Sequence, residues 1–450
     1  MGRLFGTDGI RGIANRQLTP ELAYRIGQAA ALVLRREYEG KPVVVIGKDT
    51  RISSDMLEGA ITAGLTACGV NVHTLGVIST PAVALITVRS KAAAGVVISA
   101  SHNPYEYNGI KFFGPDGSKL PDETESAIED LILSDEQLPT CQNGDIGITY
   151  DDRHAMDAYI RYLVSTVKGD PHDLRVLVDC ANGAASVTAQ RIFARYDIDV
   201  TYINDKPNGV NINSNCGSTH LDALGRQVAA GSYDVGIAFD GDADRCLAVD
   251  EHGNEIDGDK IMALIASAMK DAGDLRGNGF VATVMSNMGL HKYAAKHGYR
   301  ILCADVGDRN VREMMVKENL VLGGEQSGHI IFLNHMPTGD GQLTALHFLS
   351  IISKYGVPVS RLTSEIERYP QILVNVPGPH DSAEKAALIA SSSVQEAIRE
   401  QEKRMAGNGR ILVRPSGTEA LLRVMVEASE ESTAQTVANT LAEIIENIQK

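Results

Sequence analysis

Basic residues are in deficit: 42 lysines and arginines stand against 57 acidic residues, leaving a formal net charge of −15. Nucleic-acid binders carry a basic footprint, so no nucleic-acid partner is expected. No apolar run approaches the ~20 residues that span a bilayer, so no membrane partner is expected either. The opening Met-Gly-Arg-Leu-Phe-Gly holds no apolar signal region, and Gly6 stands where a myristoylation motif wants Ser or Thr. Cysteines are few and scattered, at 68, 141, 180, 216, 246 and 303, with no Cys-x-x-Cys pair to suggest zinc or a dithiol. Buried, reduced thiols in a cytoplasmic protein are the expectation. Walker, Gly-x-Ser-x-Gly and Gly-x-Gly-x-x-Gly patterns are also missing, so P-loop NTPase, acyl hydrolase and dinucleotide-binding readings find no motif.

What remains is an ordinary soluble composition, 44% hydrophobic and 22% charged. A chain of 450 residues exceeds one hydrophobic core, so three or four domains are expected. Residues 4–12, with Asp8 and Arg11 among glycines, read as a loop. Thr19 caps a helix to about Arg36. Strands at 42–47, 70–75 and 96–98 alternate with helices at 53–68, 81–89 and 121–133, and residues 134–151 read as a linker. The rhythm restarts at Val176 and again near Asp257, which implies mostly parallel sheets covered on both faces. The last ~80 residues differ, with one long helix at 382–404 among strands, and read as a smaller α+β domain. The expected division is 1–150, 151–256, 257–368 and 369–450.

Four loops carry the chemistry. The apolar run Val96–Val97–Ile98 delivers the chain into Ser99-Ala100-Ser101-His102-Asn103-Pro104, and Lys111 follows. Ser101 is a hydroxyl that can act as nucleophile or carry a phosphate of nearly two negative charges, which a cation or basic groups must meet. Asp240-Gly241-Asp242-Ala243-Asp244-Arg245 places three carboxylates at alternate positions between two strands. On a turn they can converge on one hard cation such as Mg²⁺. An EF-hand is disfavoured, because Arg245 takes the place of its sixth-position glycine and the flanks are β-like. A haloacid-dehalogenase phosphatase with Asp240 as nucleophile is the better rival, although Asp244 replaces its usual Thr or Val. Arg414-Pro415-Ser416-Gly417-Thr418-Glu419, with Arg423 beyond, offers hydroxyls, backbone N–H groups and guanidinium forks suited to a phosphate monoester, though alone it reads as a hairpin turn. Glu325, Ser327 and His329, on a Gly-flanked loop, suit sugar hydroxyls about as well as they suit a plain polar turn.

Taken in order, SASHNP (99–104), DGDADR (240–245), GEQSGH (324–329) and RPSGTE (414–419) resemble the loops of the α-D-phosphohexomutases. The likeness runs nearly end to end, through FGTDGIRG, IGKDTRIS, NGIKFF, PNGVNIN, VGDR and TGDG. It implies three similar α/β domains with mixed or parallel sheets, plus a smaller C-terminal α+β domain, around a central cleft. It implies phosphorylation of Ser101, and Mg²⁺ held by Ser101, Asp240, Asp242 and Asp244. Arg11, His102, Lys111 and Arg245 would surround the transferring phosphoryl, with Lys111 as acid or base. Glu325, Ser327 and His329 would read the sugar, and Arg414, Ser416, Gly417, Thr418 and Arg423 would hold its other phosphate. Gln326, where many relatives carry Met, points to the amino-sugar branch, which interconverts glucosamine 6-phosphate and glucosamine 1-phosphate. A hexose 1,6-bisphosphate would then be the activator, and a homodimer is one assembly open to such a chain. Phosphomannomutase or phosphoglucomutase activity in the same superfamily is the nearest alternative, ahead of a phosphohydrolase or a non-catalytic sugar-phosphate sensor. Ala420 departs from the Pro of many relatives and removes no phosphate ligand.

Overall fold

A computed structural model describes residues 4–6, 8–38, 40–134, 136–152, 154–416 and 420–449. The chain packs as two compact units, one of residues up to 285 with 299–364, the other of 286–298 with 365–450. Among the described residues no helix is long and apolar enough to cross a membrane.

Three sheets build the larger unit. The first runs Ile10–Ile13, Tyr107–Phe113, Ala94–Ile98, Val43–Lys48, Asn71–Val77, Thr149–Asp151. The second runs Glu255–Ile256, Cys246–Val249, Val235–Phe239, His172–Asp179, Asp197–Ile203. The third runs Ile330–Phe332, Leu322–Gly324, Gly279–Thr283, Arg300–Ala304. Each has a parallel block extended by an antiparallel hairpin, Ala94–Ile98 with Tyr107–Phe113, Val235–Phe239 with Cys246–Val249, and Leu322–Gly324 with Ile330–Phe332, and the first two sheets add one more antiparallel edge strand. The loops that close these three hairpins are the serine loop, the acidic loop and the Glu325 loop. One topological position, used three times, carries three of the four motifs.

Burial explains the apolar runs that precede two of them. Ala94–Ile98 and Val235–Phe239 are buried at every position, as central strands covered on both faces must be. Asp197–Ile203, at a sheet edge, alternates instead between half-buried and exposed positions. The helices Pro20–Glu37 and Ser54–Ala67 cross closely over the first sheet. A Cβ on Gly27 would stand 2.4 Å from the Ile61 carbonyl oxygen, and one on Gly64 would stand 2.1 Å from that of Tyr24. Only glycine lets the two backbones meet.

The smaller unit has an antiparallel sheet, Gln371–Pro377, Leu421–Ala428, Gly409–Pro415, packed by helices that include Glu431–Ile448 and Met288–His297. Its buried polar centre is Glu427, which accepts from Met288 N (2.9 Å), Gln371 Nε2 (2.9 Å) and Arg410 Nε (2.6 Å).

Several expectations need correction. Residues 4–12 are not all loop: Ile10–Ile13 pairs antiparallel with Tyr107–Phe113. The 134–151 stretch is not all linker either, because Thr149–Asp151 adds a parallel edge strand to the first sheet. The expectation of mixed or parallel sheets holds, the antiparallel pairs coming where a functional loop closes a hairpin on a parallel block. The helix at 382–404 is two, Ser382–Ala390 and Ser392–Arg404, broken where the Ser391 hydroxyl caps the second. Four cysteines are buried, but Cys141 is only partly so and Cys303, on an edge strand, is exposed.

Candidate active site

Ser101 adopts a left-handed backbone, φ 50°, a conformation that costs a non-glycine residue on the order of 1 kcal/mol and persists only where neighbours enforce it. Its peptide is held on both sides. The N–H donates to Ser99 Oγ at 3.0 Å, and the carbonyl accepts from Arg51 Nη2 at 2.9 Å and Asn213 Nδ2 at 2.8 Å. Gly241 closes in behind, where a Cβ would lie 2.6 Å from the Ser101 carbonyl oxygen. The result aims the hydroxyl across to the neighbouring sheet's loop: Ser101 Oγ donates to Asp240 Oδ2 at 2.7 Å.

That loop gathers Asp240, Asp242 and Asp244, all buried, with one carboxylate oxygen from each lying within 4.8 Å of the others. Burial and the two like-charged neighbours push the Asp240 carboxyl well above the usual carboxylate range. Asp242 Oδ2 accepts from Thr80 Oγ1 at 2.6 Å and lies 3.3 Å from Lys111 Nζ. Oδ1 of Asp242 and Oδ1 of Asp244 are buried with no hydrogen-bond partner. Buried carboxylate oxygens are normally satisfied. An all-oxygen donor set, crowded and short of hydrogen bonds, fits a hard divalent cation such as Mg²⁺.

Basic groups ring this centre. Lys111 Nζ, nearly inaccessible, lies between Asp242 and Asp8, 3.6 Å from the latter. Burial pulls its pKa down, but the two carboxylates outweigh that and hold it above the ordinary lysine value, so it stands as an ammonium. Arg11 pairs with Asp8, and Lys119 bridges Asp8 (2.9 Å) to Asp308 (2.7 Å). His102 Nδ1 lies 3.4 Å from Ser101 Oγ and 3.3 Å from Arg245 Nη1. Burial, then Arg245 and Arg11, pull the imidazole below its usual value, so its Nδ1 is free to accept from the guanidinium. Nε of Arg11, Nε of Arg245 and Oγ of Ser327 are buried without hydrogen-bond partners, three donors left for an anionic or hydroxylated ligand.

On the third loop, Glu325 Oε1 accepts from Gly307 N at 3.0 Å. His329 is turned inward, Nδ1 3.5 Å from Asp244 Oδ2 and Nε2 accepting from Gly339 N at 3.1 Å. Burial depresses this imidazole and Asp244 draws it up to about 9. The Gly339 N–H opposes a second ring proton, because only an unprotonated Nε2 can accept. The Nδ1 proton therefore faces Asp244. Both nitrogens of His329 are thus engaged by protein groups.

The structure gathers Arg11, Ser101, His102, Lys111, Asp240, Asp242, Asp244 and Arg245 into one contact network within the larger unit, tied to the third loop through Asp244 and His329. Arg414, Ser416 and Arg423 belong to the smaller unit. There Arg414 and Arg423 are direct cross-strand partners. Burial, then the charge of Arg423, pull the Arg414 pKa down, and its Nε has no hydrogen-bond partner. Two like charges placed opposite each other are unfavourable unless an anion joins them. Ser416 is buried, and its carbonyl accepts from Lys385 Nζ at 2.9 Å. Gly417 and Thr418 lie outside the described residues.

Sequence reasoning missed Asp49, Arg51, Thr80 and Asn213 as parts of the site, and noted Asp8 only as a loop residue. Arg51 and Asn213 had a signal, since IGKDTRIS and PNGVNIN were among the motifs that carried the resemblance. Thr80 had none.

The phosphoglucomutase/phosphomannomutase family matches this chain in four parts: alpha/beta/alpha domain I over residues 2–139, domain II over 157–253, domain III over 257–369, and the C-terminal domain over 373–444. A protein of Desulforamulus reducens named phosphoglucosamine mutase is 49% identical over 449 residues, covering 100% of both chains. The fold is similar to the crystal structure of a phosphoglucomutase/phosphomannomutase family protein from Burkholderia thailandensis, with TM-score 0.81 and 22% identity over 99% of this chain and 97% of that one. It is also similar to Aspergillus fumigatus N-acetylphosphoglucosamine mutase, solved in complex with GlcNAc-6P and magnesium, with TM-score 0.71 and 18% identity over 99% of this chain and 96% of that one.

Proposed function

Because the chain belongs to the phosphoglucomutase/phosphomannomutase family, a family of phosphohexomutase isomerases, we propose that it interconverts glucosamine 6-phosphate and glucosamine 1-phosphate through a phosphoserine at 101 and a 1,6-bisphosphate. The observation that carries the reading is the 2.7 Å contact between Ser101 Oγ and the acidic triad. A lone nucleophilic serine has no use for three carboxylates, whereas a phosphorylated serine beside a caged cation does.

Each of four domains, bounded near 150, 256 and 368, supplies one loop. Phosphoserine 101 donates first: its Oγ–P bond breaks as the free sugar hydroxyl bonds to phosphorus, the Lys111 ammonium protonates the departing Oγ, and the proton lost by the sugar hydroxyl restores that ammonium. The sugar then turns over and the process runs in reverse from the other phosphate, which returns to Oγ. Arg11, Lys111 and Arg245 stabilise the charge on the transferring group, and the Lys111 ammonium can protonate a leaving oxygen. Mg²⁺ held by Asp240, Asp242, Asp244 and a phosphoserine oxygen would add charge neutralisation there. His329 orients Asp244. Glu325 and Ser327 read hydroxyls common to both orientations of the sugar, and Arg414, Ser416, Thr418 and Arg423 hold the phosphate that is not reacting. Positioning and charge stabilisation account for the rate, with no covalent chemistry beyond the transfer itself. A hexose 1,6-bisphosphate activates the enzyme by phosphorylating Ser101, and a cytoplasmic location goes with these substrates.

The test follows glucosamine, glucose and mannose phosphates side by side with catalytic glucose 1,6-bisphosphate and Mg²⁺. Glucosamine 6-phosphate is expected to be converted fastest, without release of inorganic phosphate, and Ser101→Ala is expected to convert none of them. Turnover by Ser101→Ala at the wild-type rate would refute the phosphoserine, and preferred conversion of mannose or glucose phosphate would move the enzyme to another branch of the family.

A further inference from the structure

Arg51 touches neither the acidic triad nor the transferring group's basic ring, yet its guanidinium is fully committed. It has five N–H donors in a fixed planar fork. Nε donates to Asp49 Oδ2 at 2.8 Å, Nη1 to the Pro104 carbonyl and, at 3.0 Å, to that of Tyr107, and Nη2 to those of Ser101 (2.9 Å) and Asn103 (2.8 Å). Both Asp49 and Arg51 are buried. Their place follows from the sheet: Val43–Lys48 runs parallel beside Ala94–Ile98, with Lys48 opposite Ile98, so the two following loops leave the sheet side by side.

Asp49 supplies the other half. Its Oδ2 also accepts from Ser99 Oγ at 2.7 Å, and Ser99 Oγ in turn accepts from the Ser101 N–H at 3.0 Å. A closed ring results: Ser101 N–H to Ser99, Ser99 to Asp49, Asp49 to Arg51, Arg51 back to the Ser101 carbonyl. Both peptide groups flanking the left-handed Cα are therefore fixed by one ion pair. Asn213, on the loop that follows strand Asp197–Ile203, adds a second hold, donating to the carbonyls of Ser101 (2.8 Å) and Asn103 (3.0 Å).

We propose that the buried Asp49–Arg51 pair is the positioning device of the reaction, a clasp that keeps Ser101 in its left-handed conformation with Oγ aimed at the metal loop. It rests on the reading of Ser101 as phosphoryl carrier. Arg51 is a positioning residue, acting on the reacting oxygen only through the backbone. A serine that relaxed to an ordinary backbone conformation would swing Oγ away from Asp240. A misplacement of ~1 Å costs on the order of a hundredfold in rate. Lysine cannot substitute, because a point charge with three donors cannot serve one carboxylate and four carbonyls.

The experiment compares wild type, Arg51→Lys and Ser99→Ala, each checked for folding by thermal melting. It reads kcat and KM for glucosamine 6-phosphate, and the rate at which glucose 1,6-bisphosphate phosphorylates Ser101, by mass spectrometry. Expected for Arg51→Lys is a fall in kcat of about a hundredfold. KM should stay within about twofold and Ser101 phosphorylation should slow in parallel. Ser99→Ala, which leaves the ion pair intact but opens the ring at the Ser101 N–H, should move the same readouts in the same direction by about tenfold. If Arg51→Lys does not fold, Ser99→Ala decides. Wild-type kcat and wild-type phosphorylation in a folded variant, or a loss confined to KM, overturns the clasp. Failure of wild type itself to take phosphate on Ser101 would instead overturn the phosphoserine reading.

Discussion

Neutralising one member of the acidic triad should separate stability from function, and Asp242→Asn is the sharpest case. At 4.8 Å and an effective dielectric of about 20, each ionised carboxylate pair repels by ~3 to 4 kcal/mol. Asp242 takes part in two such pairs, ~7 kcal/mol in all. Lys111 Nζ, at 3.3 Å from Asp242 Oδ2, returns ~5 kcal/mol on the same scale. At most ~2 kcal/mol is left against the charge at 242 before any cation is bound, because the Arg245 guanidinium returns part of it and the raised Asp240 carboxyl weakens one of the two repulsions. Asparagine keeps the shape and keeps an acceptor for the Thr80 hydroxyl, which donates to Asp242 at 2.6 Å. The metal-free variant should therefore melt no lower than metal-free wild type, and up to a few degrees higher. Mg²⁺ should reverse the order. A cation at a hundred times its dissociation constant stabilises the wild type by ~2.7 kcal/mol, and the variant should gain little of this. Turnover should fall a hundredfold or more, about 3 kcal/mol of transition-state stabilisation. The assay is calorimetry of both proteins in EDTA and in Mg²⁺, with rates measured on the same samples. A variant that melts well below wild type in EDTA, yet shows the same rise with Mg²⁺, would show that the triad is an ordinary structural cluster. Wild-type turnover unaffected by EDTA would say the same of the chemistry.

Three further predictions follow from the same geometry. Arg423→Ala should chiefly raise KM for the sugar phosphate and leave kcat nearly unchanged, if the proposed role of holding the phosphate that is not reacting is right; steady-state kinetics with an unaltered KM would remove it from that role. Glu427→Gln should destabilise the smaller unit by ~3 to 5 kcal/mol, because it strands the Arg410 charge and sets an amide donor among donors; a denaturant titration showing a loss below ~1 kcal/mol would contradict the buried ion pair. Burial, then the charge of His335, push the His347 imidazole down to about 3, with its ring stacked on Phe332 at 4.5 Å. Its folded value lies below the unfolded value of about 6.5, so the unfolded chain takes the proton first as the pH falls. This contribution to stability is complete above pH ~6.5 and is lost towards pH ~3, with a slope of up to ~1.4 kcal/mol per unit. His347→Phe keeps the stacking and should flatten the stability curve between about pH 6 and 4; an unchanged slope would show that the group titrates freely in the fold.

The parts of this protein that were legible in its sequence are those where chemistry is local. Three carboxylates at alternate positions after a fully apolar strand announce themselves, because nothing else places that charge next to a buried run. The serine loop is legible for the same reason, a Ser-His-Asn-Pro stretch closing a buried strand. The strand Ile10–Ile13 was not: among glycines its pattern is too short to count, and it exists only because Tyr107–Phe113 offers it an edge. The break at Ser391 was hidden by helix-forming residues on both sides. His329 could not be told from a sugar ligand until its nitrogens were found facing Asp244 and Gly339. IGKDTRIS pointed to Asp49 and Arg51 but not to their role, because their partners lie about fifty residues ahead in the chain and are mostly carbonyl oxygens, which leave no trace in side-chain identity.

The same limit explains why three alike sheets left no visible repeat in the residues. What is shared is a connection, a parallel strand turning back through a loop into an antiparallel neighbour, and any apolar strand can make it. The loops themselves are free to differ because they add little to the core beyond Ala100 and Ala243, and each presents different groups: a serine hydroxyl, three carboxylates, a glutamate with a serine. A hairpin loop at the end of a buried central strand is held at its base by the most rigid part of the sheet, which is what a site needing sub-ångström placement requires. Ser101 adds a left-handed backbone at the residue that carries the hydroxyl, and among the described residues its loop is laced by the buried Arg51 guanidinium. If rigidity of the hairpin were sufficient, Arg51 would be dispensable and its five hydrogen bonds idle; a folded Arg51→Lys enzyme with undiminished kcat would prove that sufficiency.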